Sequence, residues 1–531
     1  MTPGRDEGKH LADTLAPGGP MSDRDSPVSF YQTVLDHGAT RLADKARTDG
    51  TLVTQVMDDV RHRIASRALP PGARLPSIRR LAETARVSKS TVVDAYERLA
   101  SEGAITSRRG SGFFVARQPA PLSLADVTPR LDREIDPFWV SRQALESGDQ
   151  ALKPGCGWLP PDWLPEDELR RALRTLARAG DGALGGYGTP LGLPALRQLL
   201  AVRMAERGVH AAPDQIMLTE SGTQAIDLLC RLLIAPGDTV LVDDPCYFNF
   251  HALLRAHRAN IVSVPMTRDG PDMVAFAAAL EQHQPRLYIT NAGSHNPTGA
   301  TLSLAVAHRL LKLADAYDLT IIEDDIFADF DSEPSPRLAA LDGLERVIHI
   351  GSFSKTLSAA VRCGYVAIRR DWLDRLVDLS LATAFGAGRL SSELVLRVIR
   401  DGSYRRHLTG LRTRLAVARR ETIDRLGEIG ITPWIEPRAG MFLWCTLPVG
   451  TDAADLARTA LAEQVVLAPG NVFSLSRAAG GFMRVNVAQC GDPRVFAVLR
   501  TLLPGTGRGA AAPLCRYEEL AERENRLRAA L

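Results

Sequence analysis

Apolar residues recur every four positions at Leu52, Val56, Val60 and Ile64. This spacing predicts a helix with one buried face, running to about Ala68-Leu69 before Pro70-Pro71-Gly72 stops it. Ser77 is placed to cap a second, short helix that turns Leu81 and Ala82 inward and stops near Ala85-Arg86. Val92, Ala95, Tyr96 and Leu99 then return at helical spacing, so a third helix opens with Lys89-Ser90-Thr91 and is ended by Gly103. Ala104 to Ser107 and Phe113-Phe114-Val115 flank Arg108-Arg109-Gly110-Ser111-Gly112, the pattern of a β-hairpin with a basic, glycine-rich tip. Three helices and a hairpin make a winged helix-turn-helix.

A different rhythm follows. Strand-like runs at Thr239 to Val242, Arg286 to Thr290, Leu319 to Ile322, Val347 to Ile350 and Tyr365 to Ile368 alternate with helical stretches. Runs apolar throughout are buried on both faces, so they predict a mostly parallel α/β sheet. Asp371 to Asp401 reads as helical, and from Thr432 a smaller α+β subdomain is expected, with strands at Phe442-Leu443-Trp444 and Met483-Arg484-Val485. Between the two patterns, Arg117 to Gln150 carries Pro119, Pro121, Pro129 and Pro137 and reads as a linker. The resulting division is an extension over 1–50 with Phe30 to Arg47 as its helical candidate, a winged helix over 51–116, a linker over 117–150, an α/β domain over 151–504 and a tail over 505–531.

Composition sharpens this division. The net charge of +2 over 531 residues is uneven: residues 51–116 hold eleven Lys/Arg against six Asp/Glu, a surplus of five, which leaves the remainder at −3. A local basic excess suits one module that meets double-stranded DNA. The seven cysteines stand singly, with no CxxC pair and no zinc-type spacing, as expected of reduced thiols in a cytoplasm. The first residues have no apolar core of a secretory signal, and no apolar stretch is long enough to cross a bilayer.

Candidate chemistry centres on Lys355, in Gly351-Ser352-Phe353-Ser354-Lys355-Thr356 just after a strand-like run, where a side chain can project into a crevice at the sheet edge. Burial there would depress its pKa and suit it to condense with an aldehyde. The flanking residues suit pyridoxal phosphate part by part. Asp324, ending a buried strand, offers an anion to the pyridine nitrogen, with Asp325 as the rival for that role. Asn296, in Asn296-Pro297-Thr298-Gly299, can donate to the ring oxygen, and Tyr247 can lie on the ring face. Ser221-Gly222-Thr223 opens a helix whose N-terminus favours an anion, and Ser352 and Arg362 would complete a phosphate cradle. No Walker A loop and no strand followed by GxGxxG competes with this reading.

Pro71-Gly72-Ala73-Arg74-Leu75-Pro76-Ser77, Val87 to Val92, Tyr96-Glu97-Arg98-Leu99, Glu102-Gly103 and Gly110-Ser111-Gly112 together resemble the GntR family of winged-helix DNA-binding domains. The resemblance implies that Arg79, Lys89, Ser90, Thr91 and Gly110 touch DNA. Many relatives carry Arg where Lys89 stands, and a lysine binds phosphate without the bidentate fork to guanine.

From about Gly155 to Leu503 the cofactor residues resemble the class I aminotransferase family of fold type I, pyridoxal phosphate-dependent proteins. That likeness implies that Tyr187 reaches the phosphate of a neighbouring subunit in a homodimer, and that Arg484 grips a ligand α-carboxylate as a bidentate pair. It also implies Asp324 as the partner of the pyridine nitrogen. Phe327 departs from the pattern, standing where relatives often carry a tyrosine that also bonds the ring oxygen.

The two resemblances joined in one chain are similar to the MocR subfamily of bacterial transcription regulators. The implied architecture is multidomain, an N-terminal winged helix-turn-helix followed by an α/β aminotransferase-like domain with a small α+β C-terminal subdomain. The implied function is a DNA-binding regulator that senses pyridoxal phosphate or an amino compound. The alternative is an aminotransferase, Lys355 its catalytic residue, with an accessory DNA-binding module.

Overall fold

The computed structural model describes residues 51–503 apart from 67, 71, 109–110, 117–136, 149, 180–183 and 334. The N-terminal extension with its candidate helix, Gly110, most of the expected linker and the tail lie outside the described residues. The chain divides into two compact units, residues 1–128 and 129–531.

In the first unit, helices Leu52–Ala65, Ile78–Ala85 and Lys89–Ser101 precede strands β1 (Ile105–Arg108) and β2 (Gly112–Val115), which pair antiparallel. The first helix ends three residues before the apolar repeat suggests, because Ser66 turns out of the helical conformation as its cap. Ser77 and Ser88 cap the second and third helices, accepting from the backbone N–H groups of Arg80 and Thr91. Tyr96 is the keystone of the small core: fully buried, it donates its hydroxyl to Pro76 O at 3.0 Å and meets Phe113 of the wing edge-on.

The second unit is built on an eight-stranded sheet of β3 (Ile216–Thr219), β4 (Thr239–Asp244), β5 (Asn260–Thr267), β6 (Gly270–Pro271), β7 (Leu287–Thr290), β8 (Thr320–Asp324), β9 (Val347–Ser352) and β10 (Gly364–Ala367). Their spatial order is β3-β10-β9-β8-β7-β4-β5-β6. All pairings are parallel except those of β10 with its two neighbours and of β5 with β6, so the sheet is mixed rather than uniformly parallel. A four-stranded antiparallel sheet, β11 (Thr432–Pro433), β12 (Phe442–Thr446), β13 (Ala468–Pro469) and β14 (Phe482–Asn486), forms the smaller subdomain in the order β11-β12-β14-β13.

Two expectations are corrected. The stretch 371–401 is two helices, Arg370–Ala384 and Arg389–Arg400, parted where Phe385 takes a left-handed φ of 54° and Gly386 follows it. Residues 137–146, placed in the linker, form a helix of the α/β unit. Its apolar positions Trp139, Val140 and Ala144 share one face and are buried, which outweighs the proline count that suggested a spacer.

Candidate functional site

The sheet topology gathers the predicted cofactor residues along one edge. Ser221 follows β3, Tyr247 follows β4, Asn296 follows β7, Asp324 ends β8 and Lys355 follows β9, all at carboxyl ends of strands that run the same way. β10 runs oppositely, so Arg362, just before it, reaches the same edge. Gly364 pairs with both Thr219 and Ser352, setting Arg362 between the turn after β3 and the turn after β9. A Cβ at Gly364 would lie 2.8 Å from the carbonyl carbon of Ser221 and 3.0 Å from Gly222 N, so only glycine lets this strand pass the helix start.

The helix Gly222–Leu233 opens here, with Ser221 accepting from Gln224 N at 3.1 Å. Thr223 is exposed at its first turn, and Ser352 shares a hydrogen bond with Ser354 at 2.8 Å. Arg362 is exposed and held at a left-handed φ of 51°, a costly conformation for a residue with a Cβ. The hydroxyls and N–H groups of the helix start, Ser352 at the end of β9 and Arg362 before β10 thus stand on adjoining turns, and they are the donor types that a phosphate needs.

Deeper in, Lys355 donates through Nζ to Gly157 O at 2.7 Å. Burial pushes its ammonium down to about 8, and the Arg484 charge adds to the effect. Asp324 is buried, and that burial pushes its carboxyl up to about 7 although Ile326 N donates to it at 3.3 Å. The rival Asp325 faces elsewhere, paired with Arg337 Nε at 3.0 Å in a buried ion pair that Asp331 shares. Asp324 is therefore the carboxylate that lines the cavity with Lys355.

Arg484 comes from β14 of the smaller subdomain and is 2% exposed, a fraction that matters because no carboxylate pairs with it among the described residues. It donates to Asn296 Oδ1 at 2.9 Å and to Gly155 O at 2.8 Å, lies over the rings of Phe442 and Phe473, and keeps a buried Nε without a partner. Burial pulls its pKa down to about 10. A buried cation left short of an anion is costly, and an incoming carboxylate would relieve that cost. Asn296, its amide oxygen occupied by Arg484, keeps its NH2 group as a donor. Tyr247 presents its ring to the same cavity.

Tyr187 stays outside this cavity. It is 81% exposed and its ring rests on Phe385 at 5.5 Å, so it is available to a second chain and not to its own pocket. Phe327 lines the cavity, buried against Phe442 and Phe330.

Several site residues had escaped the sequence reading. Val140, Ser141 and Ala144 of the helix Pro137–Glu146 line the cavity, as do Cys156, Gly157 and Trp158. Their signal was the spacing of Val140 and Ala144 one helical turn apart. A polar chain also braces the lysine turn: Thr356 bonds the Tyr404 hydroxyl, which donates to Asp329 Oδ2 at 2.6 Å, and Asp329 pairs with Arg203 and Arg207. His407 Nε2 donates to Thr356 O at 2.8 Å. These partners come from distant stretches of chain and carry no local motif.

In the first unit, Arg79, Lys89 and Ser90 are exposed, and Thr91 is half-buried. Ser88 Oγ binds Ser90 Oγ at 2.7 Å and Thr91 Oγ1 at 2.8 Å, fixing both hydroxyls at the start of the third helix. Arg74 and Arg86 are exposed too and were not singled out from the sequence.

Residues 163–502 match the family described as aminotransferase class I and II, and residues 52–115 match the bacterial regulatory proteins of the gntR family. The HTH-type transcriptional regulator YdcR of Escherichia coli is 30% identical over 84% of this chain and 97% of its own. This chain belongs to the MocR subfamily. The HTH-type transcriptional regulator NorG of Staphylococcus aureus is 26% identical, over 75% of this MocR chain and 92% of NorG. Among solved structures, LysN, the α-aminoadipate aminotransferase of Thermus thermophilus complexed with N-(5'-phosphopyridoxyl)-L-leucine, is 26% identical with a TM-score of 0.62, covering 68% of the MocR chain and 94% of LysN. A kynurenine aminotransferase of Pyrococcus horikoshii, 24% identical with a TM-score of 0.63 over 74% and 96% of the two chains, shares the fold. No helix among the described residues is long and apolar enough to cross a membrane.

Proposed function

We propose that the chain is a DNA-binding transcription regulator whose α/β unit holds pyridoxal 5'-phosphate and senses an amino compound. The observation that carries this reading is the joining of Lys355, Asp324 and an anion-deprived Arg484 in one cavity. When bound, the cofactor supplies an aldehyde that condenses with amines and a ring that accepts electron density. Lys355, with a pKa near 8, is the amine that holds it and can give or take a proton at Nζ. Asp324 would pair with the pyridine nitrogen, Asn296 would donate to the ring oxygen and Tyr247 would offer its ring to the pyridine face. Ser221, Gly222, Thr223, Ser352 and Arg362 receive the phosphate. Arg484 takes the carboxylate of the amino compound.

Tyr187 from a second copy completes the phosphate contacts, making the regulator a homodimer; its exposure supports this. Arg79, Lys89, Ser90, Thr91 and Gly110 contact duplex DNA. The six cysteines among the described residues are free thiols, in keeping with a cytoplasmic protein. Ligand binding changes DNA occupancy only as far as the amino compound binds the two arrangements of the dimer with different affinity.

The test is to purify the full chain with pyridoxal phosphate and titrate amino compounds, following the visible band and affinity for the DNA upstream of its own gene together. A band that shifts in step with DNA affinity supports the sensor. The intact Lys355, Asp324 and Arg484 set favours one second reading, an aminotransferase. It predicts a band that cycles with a keto acid while DNA affinity stays constant. A Lys355→Ala chain that keeps an unchanged visible spectrum overturns the cofactor assignment itself.

A further inference from the structure

Three charged side chains line the cavity, Lys355, Asp324 and Arg484, and each has a task in the reading above, on which the following inference rests. The wall beyond them is apolar. Val140 and Ala144 project from one face of the helix Pro137–Glu146, and Trp158, Phe248 and Phe327 close the remaining sides. The hydroxyl of Ser141 is the one polar side chain that this helix adds. Even the guanidinium of Arg484 is bracketed by rings, 4.3 Å from the Phe442 centroid and 4.8 Å from that of Phe473.

Gly157 opens the space next to the two cations. A Cβ there would come within 3.7 Å of Arg484 Nη2 and 3.9 Å of Lys355 Nζ, so its absence leaves room where the α-carbon of a ligand must lie if its carboxylate meets Arg484 and its amine approaches Lys355. The side chain of such a ligand then faces the uncharged wall that the described residues of this chain supply. Among the described residues of this chain, an acidic side chain would find no second cation there, and a basic one would find no carboxylate free of the cofactor nitrogen. Either would be desolvated without a partner.

We propose that the helix Pro137–Glu146 is the specificity wall of the site, and that the amino compound it admits is an α-amino acid with a neutral, mainly apolar side chain. Ser141 tolerates a single small polar group, and Val140 and Ala144 set the bulk that fits.

Titrating the pyridoxal phosphate-loaded full chain with L-leucine, L-methionine, L-glutamate and L-lysine tests this directly, with displacement of the visible band as the reading. L-leucine or L-methionine should shift the band at concentrations roughly 100-fold lower than L-glutamate or L-lysine, the scale set by an unpaired buried charge. A Ser141→Arg chain should reverse the order, gaining a response to L-glutamate and losing that to L-leucine. Equal response to all four amino acids, or to none, overturns the inference even where that variant fails to fold. A wild-type chain with no visible band before any amino acid is added strikes at the cofactor reading instead.

Discussion

Arg484 donates to the amide oxygen of Asn296 at 2.9 Å, which ties the residue facing a ligand carboxylate to the residue facing the cofactor ring. Arg484→Gln should therefore weaken α-amino acids by roughly 10- to 100-fold, the worth of about 1.5–3 kcal/mol for a charge-assisted hydrogen bond. It should leave the visible band in the absence of ligand in place. Arg484→Lys should rescue little, since an ammonium cannot hold Asn296, Gly155 O and a carboxylate in one plane. Spectral titration of the three proteins checks this.

Capture of pyridoxal phosphate by the cofactor-free chain should follow the neutral form of Lys355. With its pKa lowered from 10.5 to about 8, the capture rate should rise through about pH 8 and level off above it. A rate still climbing at pH 10 would mean that the lysine is not desolvated. Stopped-flow absorbance gives the profile.

Asp324 has the opposite effect on stability. Its folded pKa of about 7 lies above the ordinary 3.8, so the folded chain keeps a proton that the unfolded chain releases. Stability from this group is complete below about pH 4 and falls as pH rises to 7. Lys355 contributes a recovery between about pH 8 and 10.5, where the unfolded amine still holds its proton and the folded one does not. Asp324→Asn should flatten the fall between pH 4 and 7 in the melting midpoint of the cofactor-free protein, and leave the alkaline recovery.

Tyr404→Phe should destabilise the α/β unit by about 1–3 kcal/mol, because Asp329 and Thr356 each lose a buried partner. It should also slow cofactor capture, since Thr356 adjoins Lys355. Denaturant unfolding and the capture rate read the two effects separately.

On the DNA side, Lys89→Ala should lower affinity similarly for all sequences and reduce the slope of log affinity against log salt by about 1, as for the loss of one phosphate contact. Ser88→Ala removes the acceptor of Thr91 N and the anchor of two hydroxyls, and should cost about 1 kcal/mol of stability in the winged helix. Fluorescence anisotropy at several salt concentrations and thermal melting check the pair.

The winged helix was legible because its signals are local: a cap at Ser77, a four-residue apolar repeat and a glycine-rich hairpin. The strands carrying Asp324 and Lys355 were legible as apolar runs, and their chemistry was legible because each residue sits at a strand end. What escaped depends on packing between remote segments. The Asp329–Tyr404–Thr356 chain joins elements separated by dozens of residues, and neither tyrosine nor aspartate marks its own burial. The choice between Asp324 and Asp325 was open in the sequence because neighbouring residues on a strand point to opposite faces, and only Arg337 shows which face was taken.

The helix Pro137–Glu146 was hidden behind the proline-rich stretch before it, yet it holds two positions at once. It is the first helix described after the winged helix ends near Ala116, and its inner face is a wall of the cofactor cavity. The chain therefore starts to shape its cofactor cavity at the first described helix of the α/β unit, well before the eight-stranded sheet begins at Ile216.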